Sequence, residues 1–324
     1  MPSPLLNELE FVDLYVCLEG DAAPHYHKDA CAALETAEID IPDVYLEPVD
    51  RLTAYLREKF TDIEMGLTFE NVRMRAAKIK TASGLVWAVM RKINAVPPPV
   101  EKLGFLPALV PHLKNIGKRD GLVVLCGATG QGKTTTCCSL LADYLNNLGG
   151  VAFSIEDPVE FDLEGRHGKS GYCYQSEISN DDEWAEMLKR SLRWHPRYIY
   201  VGEIRTPDAA NQLLRAATSG HLVMTTIHSG TIEEALEGIL QLAEQAVGDR
   251  ATSLLATGLT AIFHQTLTPL GLKANFFITE PHGSSSAFRA CIRDKRIASA
   301  RTFVDQQAAL LMQSGKIFRD GKDG

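Results

Sequence analysis

Apolar and polar residues alternate along the first part of the chain and cease to do so further on. Phe11 to Leu18 (FVDLYVCL) reads as a strand and Pro48 to Phe60 as a helix. Asn71 to Lys80 (NVRMRAAKIK) alternates as a strand with one face in water, and Leu85 to Ile93 continues the same sheet. Ala95-Val96-Pro97-Pro98-Pro99-Val100 then interrupts the pattern, because consecutive prolines neither extend a helix nor join a central strand. Beyond it, Glu101 to Gly117 is expected to be helical. From there the strands become continuous apolar runs: Val123 to Leu125, Val151 to Ile155, Tyr198 to Val201 and His221 to Ile227. Helical segments stand between them, at Thr135 to Leu145, Asp181 to Trp194 and Pro207 to Ser219. Alternating strand and helix with doubly buried strands predicts an α/β fold, a mainly parallel sheet covered by helices. Residues 231–324 read as mostly helical, opened by a capping box at Thr231 and Glu234. The expected domains are therefore 1–94, a linker at 95–100, and 101–324.

Composition narrows the class. With 324 residues, 45% hydrophobic and 23% charged, the chain can bury the cores of two domains. A formal net charge of −8 and a pI near 5.6 disfavour direct nucleic-acid binding. Seven cysteines without C-x-x-C spacing suit reduced thiols and indicate no metal site. The start MPSPLLNELE lacks the basic and apolar regions of a signal peptide. The uncharged stretch Ala251 to Leu272 carries threonines, His264, Gln265 and Pro269, so a buried helix is expected there and not a membrane span. These features predict a soluble cytoplasmic protein.

The chemistry centres on residues 121–136, GLVVLCGATGQGKTTT, where an apolar strand enters a glycine-rich turn and then a helix. Gly127, Gly130, Gly132, Lys133 and Thr134 fit G-x-x-x-x-G-K-[ST]. In such a loop the glycines let backbone N–H groups curl round a phosphate, with Thr129, Gln131 and Thr135 in the same cradle. Lys133 reaches the β- and γ-phosphates and the Thr134 hydroxyl holds Mg²⁺. Glu203 ends the apolar strand after Tyr-Ile-Tyr-Val-Gly, where a carboxylate can polarise metal-bound water. Glu156 and Glu160 flank Asp157-Pro158 after the preceding strand, and either could orient and deprotonate an attacking water. His221 and His228 bracket one strand, and only His228 lies at the carboxyl end where a γ-phosphate would be sensed. Arg193 and Arg205, on either side of the Glu203 strand, either neutralise phosphate charge or pair with nearby carboxylates.

In order, GATGQGKTTT, SIEDPVEF, SLRWHPRYIYVGEIR and SGHLVMTTIHSG resemble the Walker A, Asp box, Walker B and His box of the secretion-ATPase superfamily. The pattern is most similar to type IV pilus retraction ATPases, with type II secretion ATPases close by. FVDLYVCL and AFRACIRDK resemble further family segments more faintly. The resemblance implies a PAS-like N-terminal domain, a RecA-like P-loop core and a homohexamer that uses ATP and Mg²⁺. It also implies Glu160 as general base, Glu203 as a metal-side carboxylate, His228 as γ-phosphate sensor, and Arg75 and Arg91 as arginines that turn onto the nucleotide. Its implied partner is an inner-membrane platform protein, engaged from the cytoplasmic face without membrane insertion. The chain departs from the family at His195-Pro196-Arg197, which stands where Asp-Pro-Asp is common. That substitution resembles ATPases of conjugation and type IVB secretion, which move DNA or effectors.

A P-loop small-molecule kinase would share the phosphate loop, but no acceptor-binding lid is recognisable and a whole domain precedes the loop. A GTP switch lacks its Asn-Lys-x-Asp signature here. The expected activity is thus ATP hydrolysis coupled to mechanical work.

Overall fold

A computed structural model describes residues 5–28, 38–93, 96–178, 180–268, 271–281 and 286–318. Ala95 of the linker, Asn94 before it, Cys31, Pro269 and residues 319–324 of the expected helical end lie outside the described residues. Backbone contacts divide the chain into Met1–Ala95 with Glu160–Asp162, and Val96–Val159 with Leu163–Gly324.

The first unit is built from β1 (Asp13–Glu19), β2 (His25–His27), β3 (Ile39–Asp40), α1 (Leu46–Lys59), β4 (Glu64–Phe69), β5 (Val72–Lys80) and β6 (Val86–Lys92). The strands form one sheet, in order β3-β2-β1-β6-β5-β4, with every pairing antiparallel. Alternation sets its two faces. Leu14, Val16, Met74, Ala76, Ala88 and Met90 pack with Val49, Leu52 and Leu56 of α1. The opposite face therefore carries Asp13, Tyr15, Arg73, Arg75 and Arg91. Register places Arg91 directly between Asp13 and Arg75 across three strands.

The second unit contains α2 (Val110–Ile116), β7 (Gly121–Cys126), α3 (Lys133–Asn147), β8 (Gly150–Glu156), β9 (Gly165–His167) and β10 (Gly171–Glu177). It continues through α4 (Glu183–Ser191), β11 (Tyr198–Glu203), α5 (Pro207–Ala217), β12 (Leu222–Ile227), α6 (Ile232–Val247) and α7 (Arg250–Gly258). The chain then forms β13 (Leu259–Thr268), β14 (Gly271–Ile278), α8 (Ala287–Arg293) and α9 (Ala300–Ser314). The sheet order is β14-β13-β7-β12-β11-β8-β10-β9. From β13 to β10 every pairing is parallel, and antiparallel β14 and β9 close the two edges. Helices α4 to α9 share a core with Leu122, Val124, Ile155, Ile199, Val201 and Val223, while α3 lies against the other face beside Tyr198.

Two expectations require correction. Glu101 to Gly117 is not one helix: a 3-10 turn at Val100–Lys102 is followed by α2, and between them Gly104 has φ +87. The described part of residues 231–324 is mostly helical, but the single buried helix expected over Ala251 to Leu272 is not formed: the stretch leaves α7 at Gly258, continues as β13, and Leu272 belongs to β14. Thr260, Ile262, Phe263, Thr266 and Thr268 favour a strand, and β13 inserts beside β7 with both faces buried over its first half, so its sequence shows no alternation. The capping box is present: Thr231 Oγ1 accepts from Glu234 N at 3.1 Å, although Glu234 accepts from Gly230 N, one residue earlier than the usual partner. Arg289 of α8 serves the fold by donating to the carbonyls of Ala256 and Thr257 at the end of α7. Among the described residues no helix is long and apolar enough to cross a membrane.

Candidate functional site

Strands β7, β12, β11 and β8 end near one level, while β13 runs on past them to Thr268. Cys126 of β7 is in register with Ile227 of β12 and with His264 of β13, and Val201 of β11 with Ile155 of β8. The chain from Cys126 to Lys133 leaves the sheet between β13 and β12, and His228, Glu203 and Glu156 stand at the same carboxyl edge at the ends of β12, β11 and β8, successively further from it.

The loop itself depends on glycine. Gly127, Gly130 and Gly132 have φ of +149, +75 and +75, a region that side-chain-bearing residues rarely adopt. A Cβ at Gly127 would sit 2.6 Å from the Gln265 carbonyl oxygen, whereas at Gly130 it would meet nothing within 4 Å. Ala128, Thr129 and Gly130 are exposed, so the loop is open on the side that a ligand would approach. Lys133 begins α3 and is only 6% exposed. Its ammonium donates to the Gly127 and Ala128 carbonyls, each at 2.9 Å, and to His228 Nδ1 at 3.2 Å. Thr134 and Thr135 follow in the first turn of α3, where the helix dipole favours an anion.

His228 links the loop to β11. An ammonium can only donate, so Nδ1 is the acceptor and the imidazole proton belongs on Nε2, which faces Glu203 Oε1 at 3.2 Å. Glu203 reaches this position through an irregularity in the β11–β12 pairing between Val201 and Glu203. At that point Thr226 Oγ1 donates to the Gly202 carbonyl at 2.6 Å. The other Glu203 oxygen accepts from Arg205 Nε at 2.9 Å, and Arg205 also contacts Asp157 at 3.1 Å. The hydrogen bond to Glu203 raises the Arg205 pKa further, so its charge is fixed. Lys133, His228, Glu203, Arg205 and Asp157 form one connected polar chain, and Thr129 Oγ1 lies 3.5 Å from His228 Nδ1.

Other expected residues fall elsewhere. Glu156, 1% exposed, accepts from the Ser154 hydroxyl and from Gln175 Nε2 at 2.9 Å. Glu160 groups with the first unit, in the segment Glu160–Asp162. Arg193 lies on the turn entering the amino end of β11, at the opposite edge of the sheet, and is not brought to the loop. His221 also sits at that edge, its Nδ1 2.6 Å from the Pro196 carbonyl oxygen. Arg75 is paired with Glu64, and Arg91 grips Asp13 through two bonds of 2.8 and 2.9 Å. The Gln131 side chain turns away from the loop to accept from Leu267 N at 2.6 Å, leaving only its backbone for a ligand. Gln265 and Gln175, both in contact with site residues, were not singled out by motif reasoning. Neither belongs to a motif, and each stands among other polar residues of its strand, in β13 and β10 respectively.

Residues 59–316 match the family described as type II/IV secretion system protein. The chain is 34% identical over 187 residues to the type IV pilus ATPase PilU of Pseudomonas aeruginosa, covering 57% of this chain and 47% of that protein. It is 31% identical over 196 residues to the type IV pilus retractation ATPase PilT of the same species, covering 60% and 56%. The matches thus span about half the length of these two relatives. The crystal structure of a pilus retraction motor PilT with bound ADP superposes with a TM-score of 0.70 at 25% identity, covering 98% of this chain and 96% of that one. The eight-stranded core and its phosphate loop are RecA-like.

Proposed function

The chain belongs to the type II/IV secretion system protein family, and we propose that it is an ATP-hydrolysing motor of a type IV pilus or a type II/IV secretion machine. It works as a homohexamer at the cytoplasmic face of the membrane and pushes on a membrane-embedded platform protein. The observation that carries this reading is the connected chain Lys133–His228–Glu203 beside an open glycine loop. In it a phosphate-binding cation, an imidazole and a strand-end carboxylate share one hydrogen-bonded path. A γ-phosphate bound at the loop competes with the Gly127 and Ala128 carbonyls for Lys133, and through Lys133 it alters what His228 accepts. His228 is the natural reporter of that exchange, since its Nε2 proton lies on Glu203.

Thr134 and Glu203 are the residues that would hold Mg²⁺. Glu203 suits an indirect role through water, because one of its oxygens is already committed to Arg205. When bound, the metal supplies charge neutralisation on the phosphate oxygens. In the hydrolytic step a water attacks the γ-phosphorus, the bond to the bridging oxygen breaks, and Glu160 takes the water's proton. Arg75 and Arg91 add cations to the phosphates once they exchange Glu64 and Asp13 for nucleotide.

The test combines particle size with and without ATP and a phosphate-release assay containing no acceptor. Nucleotide-promoted hexamers that release phosphate from ATP in water support the motor. Phosphate transfer that requires an added small-molecule acceptor, from a monomer or dimer, overturns it.

A further inference from the structure

Gly130 and Gly132 flank Gln131, and both have φ +75. Glycine adopts either sign of φ at little cost, so the peptide planes beside Gln131 can turn over without a steric penalty. In a trans peptide the carbonyl and the following N–H point in opposite directions. Whichever side the Gln131 carbonyl occupies, the Gly132 N–H lies on the other, either toward an anion in the loop or away from it.

The neighbouring strand makes that choice. Gln265 of β13 is 1% exposed, and its Nε2 donates to the Gln131 carbonyl at 2.6 Å. Only the amide nitrogen can serve a carbonyl, so the orientation of this side chain is unambiguous. Gln131 returns the contact by accepting from Leu267 N at 2.6 Å. The Gln265 main chain also packs against Gly127, at the other end of the loop. The Gln265 amide oxygen has no hydrogen-bond partner among the described residues. A buried amide with an idle acceptor costs more than an apolar side chain of similar size, so its donor is the group that matters here.

We propose that Gln265 is a positioning residue for the phosphate loop: by holding the Gln131 carbonyl on the β13 side, it keeps the Gly132 N–H turned toward the bound phosphates. The assignment rests on the reading of the loop as a nucleotide site.

The experiment measures binding of a fluorescent ATP analogue, with inorganic tripolyphosphate as competitor, alongside melting without nucleotide. Gln265→Met keeps the shape and removes the donor. It is expected to melt within about 2 °C of the parent, and to bind the analogue and tripolyphosphate about tenfold more weakly, both by the same factor, as for one lost N–H contact to a charged group. Gln265→Glu can donate only when protonated, so its deficit relative to the parent should shrink as the pH is lowered. Tripolyphosphate binding by Gln265→Met within twofold of the parent overturns the assignment. So does a deficit in Gln265→Glu that does not change with pH, which keeps the test decisive if the methionine variant fails to fold. A parent chain that binds neither ligand overturns the nucleotide reading as well.

Discussion

Lys133 and Arg91 are both cations, one at the start of the helix that follows β7 and one within β6, and their surroundings are opposite in kind. Lys133 is buried at the carboxyl edge of a parallel sheet and donates to carbonyl oxygens and an imidazole. Arg91 lies on the open face of an antiparallel sheet, with its side chain 62% exposed, and holds the Asp13 carboxylate by two bonds. The difference follows from sheet type. A parallel sheet covered on both faces has no lateral surface for charge, so its polar groups collect where the strands end. An antiparallel sheet covered on one face spreads its charges along the other and must neutralise them there. An anion reaching Lys133 displaces neutral acceptors, whereas one reaching Arg91 or Arg75 has to replace a carboxylate. In the proposed function the first takes a phosphate directly, and the second takes one by exchange.

The sharpest way to break this contrast is Lys133→Ala. Its loss should lower ATP hydrolysis by about 10²–10³-fold, as when a preorganised group on a transferring phosphoryl is removed. Melting without nucleotide should change little, because the ammonium donates to loop carbonyls and to His228 at the edge of the sheet. Turnover retained in a folded variant would show that the carboxyl edge is not the phosphate site.

Next in size are the two glutamates after β8. Glu160→Gln keeps the shape and loses basicity, so ATP binding should persist while hydrolysis falls about 10²-fold. Glu156→Gln acts on a buried carboxylate that accepts from Ser154 and Gln175. Both donors meet Oε1, so the glutamine keeps an amide oxygen for them and loses only the charge on those bonds, which should cost about 1 kcal/mol of stability, with turnover per folded molecule near that of the parent. The reverse pattern, measured by melting and single-turnover hydrolysis, would make Glu156 the base.

Glu203→Gln is milder. It keeps one acceptor oxygen for two donors on opposite oxygens, so one of the contacts to His228 and Arg205 is lost, and a slowing of about tenfold is expected, the equivalent of about 1.4 kcal/mol. A rate unchanged at saturating ATP would place the polar chain outside the reaction.

How much of this could be read in the sequence depends on the kind of signal each residue leaves. The positions of the loop, Glu203 and His228 at strand ends were legible because doubly buried parallel strands are short apolar runs whose ends are marked by the first polar residue. The same property concealed β13: beside β7, with its first half buried on both faces, it looked like a continuation of α7. Gln265 was read only as a polar residue of a buried helix, because its contact with Gln131 depends on which strand is its neighbour, and register is invisible along one chain. The distance of Arg193 from the loop was hidden for a related reason. It is close to Glu203 in sequence, but β11 carries the two to opposite edges of the sheet. Arg75 and Arg91 were found on resemblance, while the carboxylates that hold them, Glu64 and Asp13, come from other strands and appeared only in the fold.

Those carboxylates supply the smallest and most discriminating test. Arg75 and Glu64 form an exposed ion pair, with side chains 28% and 55% accessible. Breaking it should cost less than about 1 kcal/mol, and salt should erase the difference. Arg75→Ala and Glu64→Gln remove the same pair, so a purely structural role predicts the same small loss from both and no effect on hydrolysis. If Arg75 serves the nucleotide, the two must diverge. Arg75→Ala then removes a cation from the phosphates and slows hydrolysis, while Glu64→Gln frees that cation from its competing carboxylate and leaves the rate equal to or above the parent's. Steady-state phosphate release at low and high ionic strength measures both, and equal rates for the two variants would assign Arg75 to the sheet alone.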